Sequence, residues 1–265
     1  MQTFSLMATQ RKTQIGMRQN VSLIQLSAIV ALVMIWQLVA ILLESTLFPP
    51  PTAIAAQLWA ELVSGELPQH MGYTLGRVAA GFGLSMLAGS LVGMLMGTKA
   101  RLDSLFNPLL ILLLNIPALV VIFLCFIWFG LNEFAAVLAV VINKTPNVAV
   151  TIREGARSID RGLLDVAKAY RLPAWKTFKS VYFPQLHPYL LAASRSGLPL
   201  VWKIILVVEL IGCSNGIGFK LGVYFQYFDI TSILAYTLAF ALLVALIESL
   251  IVRPWEKSVM RWRSC

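Results

Sequence analysis

Charge is scarce in this chain. Only 12% of its 265 residues are Asp, Glu, Lys or Arg, against roughly 25% in an ordinary soluble domain. That is too little to cover the surface of a water-soluble fold. Histidine and cysteine are scarcer still, at two and three residues. His70 and His187 stand alone, and Cys125, Cys213 and Cys265 are odd in number and far apart. This excludes a disulfide framework and leaves no metal-ligand spacing. No G-x-x-x-x-G-K-[ST] phosphate loop is present, so the chain cannot hydrolyse ATP by that route. The clustered His, Asp or Cys constellation of a membrane enzyme is also missing.

Apolar residues make up 58% of the chain, and the mean hydropathy is +0.79. Several apolar runs approach 20 residues, which predicts an all-α membrane protein with several spans. Residues 1–20 form a polar, basic tail. The apolar run that follows is too long for a signal-peptide core and lacks a small-residue cleavage site, so it reads as a retained first span, 21–43. A linker over 44–73 follows, in which Phe48-Pro49-Pro50-Pro51 breaks the helix. Thr52 is placed to cap a short amphipathic helix over 53–64. Residues 74–252 supply five more spans, at about 74–97, 105–129, 134–152, 185–211 and 230–252. A charged loop over 153–184 divides this core, and 253–265 form a basic tail.

The net charge of +9 does not point to nucleic acid, because the cations sit in short loops and termini rather than among base-stacking aromatics. It sets orientation instead. Arg11, Lys12, Arg18, Lys99, Arg101, the long loop and the tail residues Arg253, Lys257, Arg261 and Arg263 all fall on one side. Lys220 lies opposite. Positive residues favour the cytoplasm, so both termini and the long loop are expected there.

Small residues recur at every fourth position of the second span, at Gly81, Ser85, Gly89, Gly93 and Gly97. Such a stripe lets a neighbouring helix approach closely, within the chain or from another subunit. Pro117, Pro146 and Pro199 lie inside spans, near Asn115, Asn143, Asn147 and Lys203. Each frees backbone groups that need polar company. Lys144, Arg195, Lys203 and Glu209 are ionisable groups inside the spans, where they require a partner or a cavity, and Arg195 is near enough to the cytoplasmic end to snorkel. Lys203 and Glu209 are six apart on one helix and cannot face each other. The candidates for a translocation path are therefore Asn115, Pro117, Asn143, Lys144, Pro199, Lys203 and Glu209, and the excess of deep positive charge hints at an anionic solute.

The loop over 153–184 carries Arg153, Arg157, Arg161, Lys168, Arg171, Lys176 and Lys179 against Glu154, Asp160 and Asp165. Leu163, Val166, Ala167 and Tyr170 recur at helical spacing, as do Trp175, Phe178 and Tyr182. Pro173 forces Leu172 out of the helical region and can begin a second helix. A helix–turn–helix is expected, about 162–170 and 173–181, with apolar knobs suited to the groove of a soluble partner.

This loop resembles the E-A-A…G…L-P loop of binding-protein-dependent ABC importer permeases. The matching residues are Asp165-Val166-Ala167, then Arg171 at the glycine position, closing at Pro184. F-P-P-P-T-A-I after the first span resembles the nitrate/sulfonate/taurine branch of that family. So do T-L-G-R-V-A-A-G-F, I-P-A-L-V-V-I-F-L-C-F-I-W-F-G-L-N-E and S-N-G-I-G at Ser214–Gly218. The likeness runs from Phe48 to the C-terminus. Two residues depart from the pattern: Asp165 replaces Glu, and Arg171 replaces Gly.

The resemblance implies a type I ABC importer permease fold with six transmembrane helices and cytoplasmic coupling helices, in the bacterial inner membrane. It implies a dimer with a second permease copy or homologue, a periplasmic or lipid-anchored substrate-binding protein, and partner ATPase subunits that hold the ATP and magnesium. The chain itself would bind no cofactor and no metal, and surrounding lipid would be its other contact. Asp165, Ala167, Tyr170, Arg171, Pro173, Phe178 and Pro184 would couple it to the ATPase. A secondary transporter is the rival reading, with Glu209 as its one candidate coupling acid, and it leaves the loop unexplained.

Overall fold

The structure, a computed structural model, describes residues 27–252 and residue 254. The expected tail over 1–20 and, apart from residue 254, the expected tail over 253–265 lie outside the described residues. Regular structure among the described residues is entirely helical. The first span is described as α1, Ser27–Leu43. Its Gln37 bonds both the hydroxyl and the backbone N–H of Thr52, each at 3.2 Å. This ties α1 to α2, Pro51–Ser64. Thr52 is therefore not the cap: α2 starts two residues earlier than expected, with Pro50 as N-cap and Pro51 at the first helical position, where its missing N–H costs nothing.

The central helices are α3, Glu66–Thr98, α6, Glu133–Arg157, and α9, Phe183–Gly212. The 33 residues of α3 span about 50 Å at 1.5 Å per residue. That exceeds the roughly 30 Å hydrocarbon layer, so α3 projects beyond it. Val78, Ile122, Val140, Val201 and Ile205 form the largest core where these helices meet. The small-residue stripe of α3 packs against α6. Ser85 is fully buried, and a Cβ on Gly93 would stand 2.5 Å from the Ala149 carbonyl oxygen. Val140 packs over Gly81, Val148 over Gly89 and Ala156 over Gly97.

The expected third span is not one straight helix. It divides into α4, Ala100–Asn115, and α5, Ala118–Phe129, bent by 98°. Ile116 is extended, as a residue before proline prefers, and Pro117 becomes the N-cap of α5. Among the described residues, four helices are long and apolar enough to cross a membrane, and up to five crossings result if the bent pair counts as one, against the six expected, because the described part of the first span, Ser27–Leu43, is shorter.

The charged segment is also shorter than expected. Helix α6 continues through Arg157, and Arg153 and Arg157 bind Asp103 of α4 at 3.3 and 2.5 Å. After α7, Arg161–Ala169, and α8, Ala174–Thr177, a π-helical stretch over Phe178–Tyr182 leads directly into α9. The second short helix is thus the leading end of one helix over Ala174–Gly212, and Pro184 ends nothing. It sits in the first turn of α9, where proline is tolerated. The glycine-containing segment after α9 holds a further helix, α10, Ile217–Gln226, before α11, Ile230–Ile247.

Candidate functional site

At the end of the bundle where α6 stops and α9 begins, the chain builds a helix–turn–helix. Asp160 caps α7 by accepting the Gly162 N–H at 2.7 Å. Its own N–H donates to the Gln185 side chain at 2.9 Å, fastening the cap to α9. The far end of α7 closes through two backbone bonds, Leu172 N–H to the Ala167 carbonyl at 3.0 Å and Arg171 N–H to the Lys168 carbonyl at 2.9 Å. This is a Schellman closure, which requires a left-handed residue. Arg171 fills it with φ of 49°. The turn usually made by glycine therefore persists with arginine in it, at a local cost of about 1–2 kcal/mol.

The faces of α7 divide cleanly. Leu164 packs inward on the cluster of Val148, Ile152, Ile159 and Leu186. Ala167 is buried at 3% exposure, so it is not one of the outward knobs the spacing suggested. Its helical phase places it beside Leu164, toward the bundle. Leu163, Val166 and Tyr170 point outward, Tyr170 at 78% exposure. Beyond the turn, Trp175 is equally open and stacks on half-buried Phe178, with ring centroids 6.0 Å apart. Asp165 is exposed and paired with Lys168 at 3.1 Å, while Pro173 and Pro184 lie at the surface. The result is a rigid apolar surface with a charged border.

The deep residues fall into separate places. Asn115 donates back to the Ile111 carbonyl of its own helix at 2.7 Å, and Pro117 is exposed at the α4–α5 break. Asn143 is half-buried and donates to the Ala139 carbonyl at 2.8 Å. Lys144 is 2% exposed, with its stem laid across Gly197 of α9. Pro199 and Lys203 lie on the exposed face of α9. Lys203 makes no hydrogen bond or ion pair with the described residues.

Glu209 does have partners, and sequence reasoning did not find them. Its carboxylate is fully buried. It accepts from Arg77 at 2.7 Å, from Thr74 at 2.9 Å and from the Gly218 N–H at 2.9 Å. Arg77 is itself buried and binds Glu133 at the start of α6 through two bonds of 2.7 and 2.5 Å. Its guanidinium also donates to the Asn215 backbone carbonyl at 2.9 Å and to the Asn215 side chain. The Gly216 N–H donates to His70 Nδ1, and the Ile217 N–H to Thr74, both at 2.9 Å. Gly216 has φ of 107° and lies against the Glu209 carboxylate, so a side chain there is excluded twice over.

These bonds knot α3, α6 and α9 to the loop before α10. The two segments T-L-G-R and S-N-G-I-G, read separately in the sequence, meet on Glu209. Nearby, Lys220 of α10 pairs with Glu66. Burial opposes the charge on Lys220, yet the Glu66 bond and the neighbouring Tyr224 and Glu61 hold its pKa above the ordinary lysine value.

Residues 85–253 match the family of binding-protein-dependent transport system inner membrane components. The chain belongs to that family. The aliphatic sulfonates transport permease SsuC of Escherichia coli is 28% identical over 235 residues, covering 88% of this chain and 89% of that protein. The taurine transport permease TauC of the same organism is 25% identical over 90% of this chain and 89% of its own length. A bicarbonate transport permease, CmpB, of Synechocystis is 26% identical over 72% of each chain.

Among solved structures, the MetNI methionine ABC transporter in inward-facing form matches with a TM-score of 0.60 at 18% identity, covering 70% of this chain and 92% of that one. An amino acid ABC transporter gives 0.57 at 21%, covering 76% and 97%. The fold is that of a type I ABC importer permease, and the chain is an inner membrane permease subunit of a binding-protein-dependent transport system.

Proposed function

We propose that this permease works as one of two membrane subunits around a shared solute path, driven by ATPase subunits docked on the α7–α8 surface. A soluble binding protein delivers the solute from the opposite side. ATP hydrolysis resides on the partner chain, and both termini of the permease lie in the cytoplasm. The observation that carries this reading is the α7–α8 surface. Leu163, Val166, Tyr170 and Trp175 are exposed apolar side chains on a capped, Schellman-closed unit fastened to α9. A rigid apolar projection of this kind suits the groove of a partner. Movement imposed on it passes into α9, because α8 and α9 are one helix. The solute is a small anion or zwitterion of the sulfonate, taurine or bicarbonate kind, by kinship with permeases bearing those names.

The test is co-purification of the permease with its ATPase, beside substrate-stimulated hydrolysis in the reconstituted complex. Tyr170→Asp and Val166→Asp place a charge on the proposed contact and should abolish both while the permease still inserts and purifies. Full ATPase binding and full stimulation in both variants would overturn the coupling assignment. Ala167→Asp is a different experiment, since that residue is buried and its change should unfold the turn itself.

A further inference from the structure

The face of α9 that leaves the subunit runs through Ser196, Pro199, Lys203, Val207 and Leu210. Lys203 sits about 13 Å from the Gly212 end of α9 and about 30 Å from the Phe183 end, at 1.5 Å per residue. A helical side chain leans toward its own N-terminus. Lys203 therefore leans away from the nearer membrane face and toward the middle of the helix. A lysine bound for the nearer headgroups would have to turn back against that direction. An ammonium left in hydrocarbon is costly and calls for water or an anion.

The carboxylates of the neighbouring helices do not supply that anion. Glu209 and Glu133 are taken by Arg77, and Glu154 by Arg153 and Arg157. Lys144, on the α6–α9 seam, likewise makes no ion pair with the described residues. Two lysines thus lie on different sides of α9, Lys144 in the seam and Lys203 on the outer face, and neither has an acid partner among the described residues.

We propose that Lys203 is the anion-selecting residue of the solute path: its ammonium faces water between the paired permeases and contacts the negative group of the passing solute. This rests on the paired-permease reading above and names the residue that sets charge preference within it. A second copy presenting the same face would double the positive charge across the path, which favours a carboxylate, sulfonate or bicarbonate and disfavours a cation.

The experiment needs no knowledge of the natural solute. Cys125, Cys213 and Cys265 are replaced in the full chain, and Val207→Cys or Ser196→Cys is introduced beside Lys203 in the assembled complex. Reaction rates are measured with an anionic and a cationic methanethiosulfonate. Both positions should react; at Val207→Cys the ratio of anionic to cationic rates should fall by about threefold to tenfold when Lys203→Met is added, the range expected for one charge a helical turn away in screened water, and at Ser196→Cys, two turns away, it should fall by less. Lys203→Arg should keep the ratio.

An unchanged ratio in Lys203→Met would overturn the proposal. So would failure of both cysteines to react in a complex that retains its ATPase, because lipid would then cover the face. Failure of the ATPase to co-purify with the unmodified permease would instead count against the paired, ATP-driven reading.

Discussion

At the scale of single residues, the subunit divides its charges into those it satisfies and those it leaves open. Arg77 and Glu209 are 4% and 0% exposed and 2.7 Å apart. Taking away Arg77 leaves the fully buried Glu209 without a counter-charge, which costs about 3–5 kcal/mol, whereas taking away Glu209 leaves Arg77 its pair with Glu133. Arg77→Met should therefore lower the thermal midpoint of the detergent-purified permease sharply. Adding Glu209→Met to Arg77→Met should recover part of the loss, because the stranded carboxylate is gone. A double variant no more stable than either single one would show that the network around Thr74, Asn215 and Gly218 matters more than the ion pair. Arg171 shows a different economy. Its strained left-handed turn is over-determined by the two Schellman bonds, so the motif survives without its usual glycine.

Among the helices, α3 and α6 form the most extensive pair, and close backbone approach holds them. Gly93→Leu would drive a side chain into the Ala149 carbonyl, and backbone cannot yield as a flexible side-chain tip can. Gly83→Leu is the control, since nothing lies within 4 Å of a Cβ placed there. Membrane yield should collapse for Gly93→Leu and stay near normal for Gly83→Leu; equal yields would remove close packing as the reason for the stripe.

Much of this level was legible in the sequence. The spacing of Gly81 to Gly97 announced a contact face, and Leu163, Val166 and Tyr170 announced the exposed side of α7. Three things were not legible. A proline after an extended residue marks a break at Ile116-Pro117 but gives no angle, so the 98° bend went unseen. Ala167 shares the apolar pattern of α7, and only packing tells the inward residue from the outward ones. The partner of Glu209 lies 132 residues away, at a distance no local periodicity reports.

For the whole molecule, the distribution of positive charge predicts the orientation. Ser64 ends α2 on one side of the bundle, and Ser180 lies in the π-helical stretch beside α8 on the other. In intact cells an impermeant thiol reagent should label Ser64→Cys and spare Ser180→Cys. The reverse pattern would invert the topology and place the α7–α8 surface where no ATPase can reach it.

The Arg77 knot also has a consequence for how the chain is made. Ribosomes add about 5–20 residues per second, and Arg77 is synthesised 56 residues ahead of Glu133 and 132 ahead of Glu209. For about 3–11 seconds at that rate, the arginine is in the insertion machinery or the bilayer with neither carboxylate yet available. Glu133 emerges first, at the leading end of the helix that packs on α3, and can receive the cation before α9 exists. Glu209 then completes the site as one of the last helices enters. The permease therefore cannot finish its interior until its C-terminal third is present, and a chain truncated before α9 keeps the Arg77–Glu133 pair but lacks the buried Glu209 that completes the site.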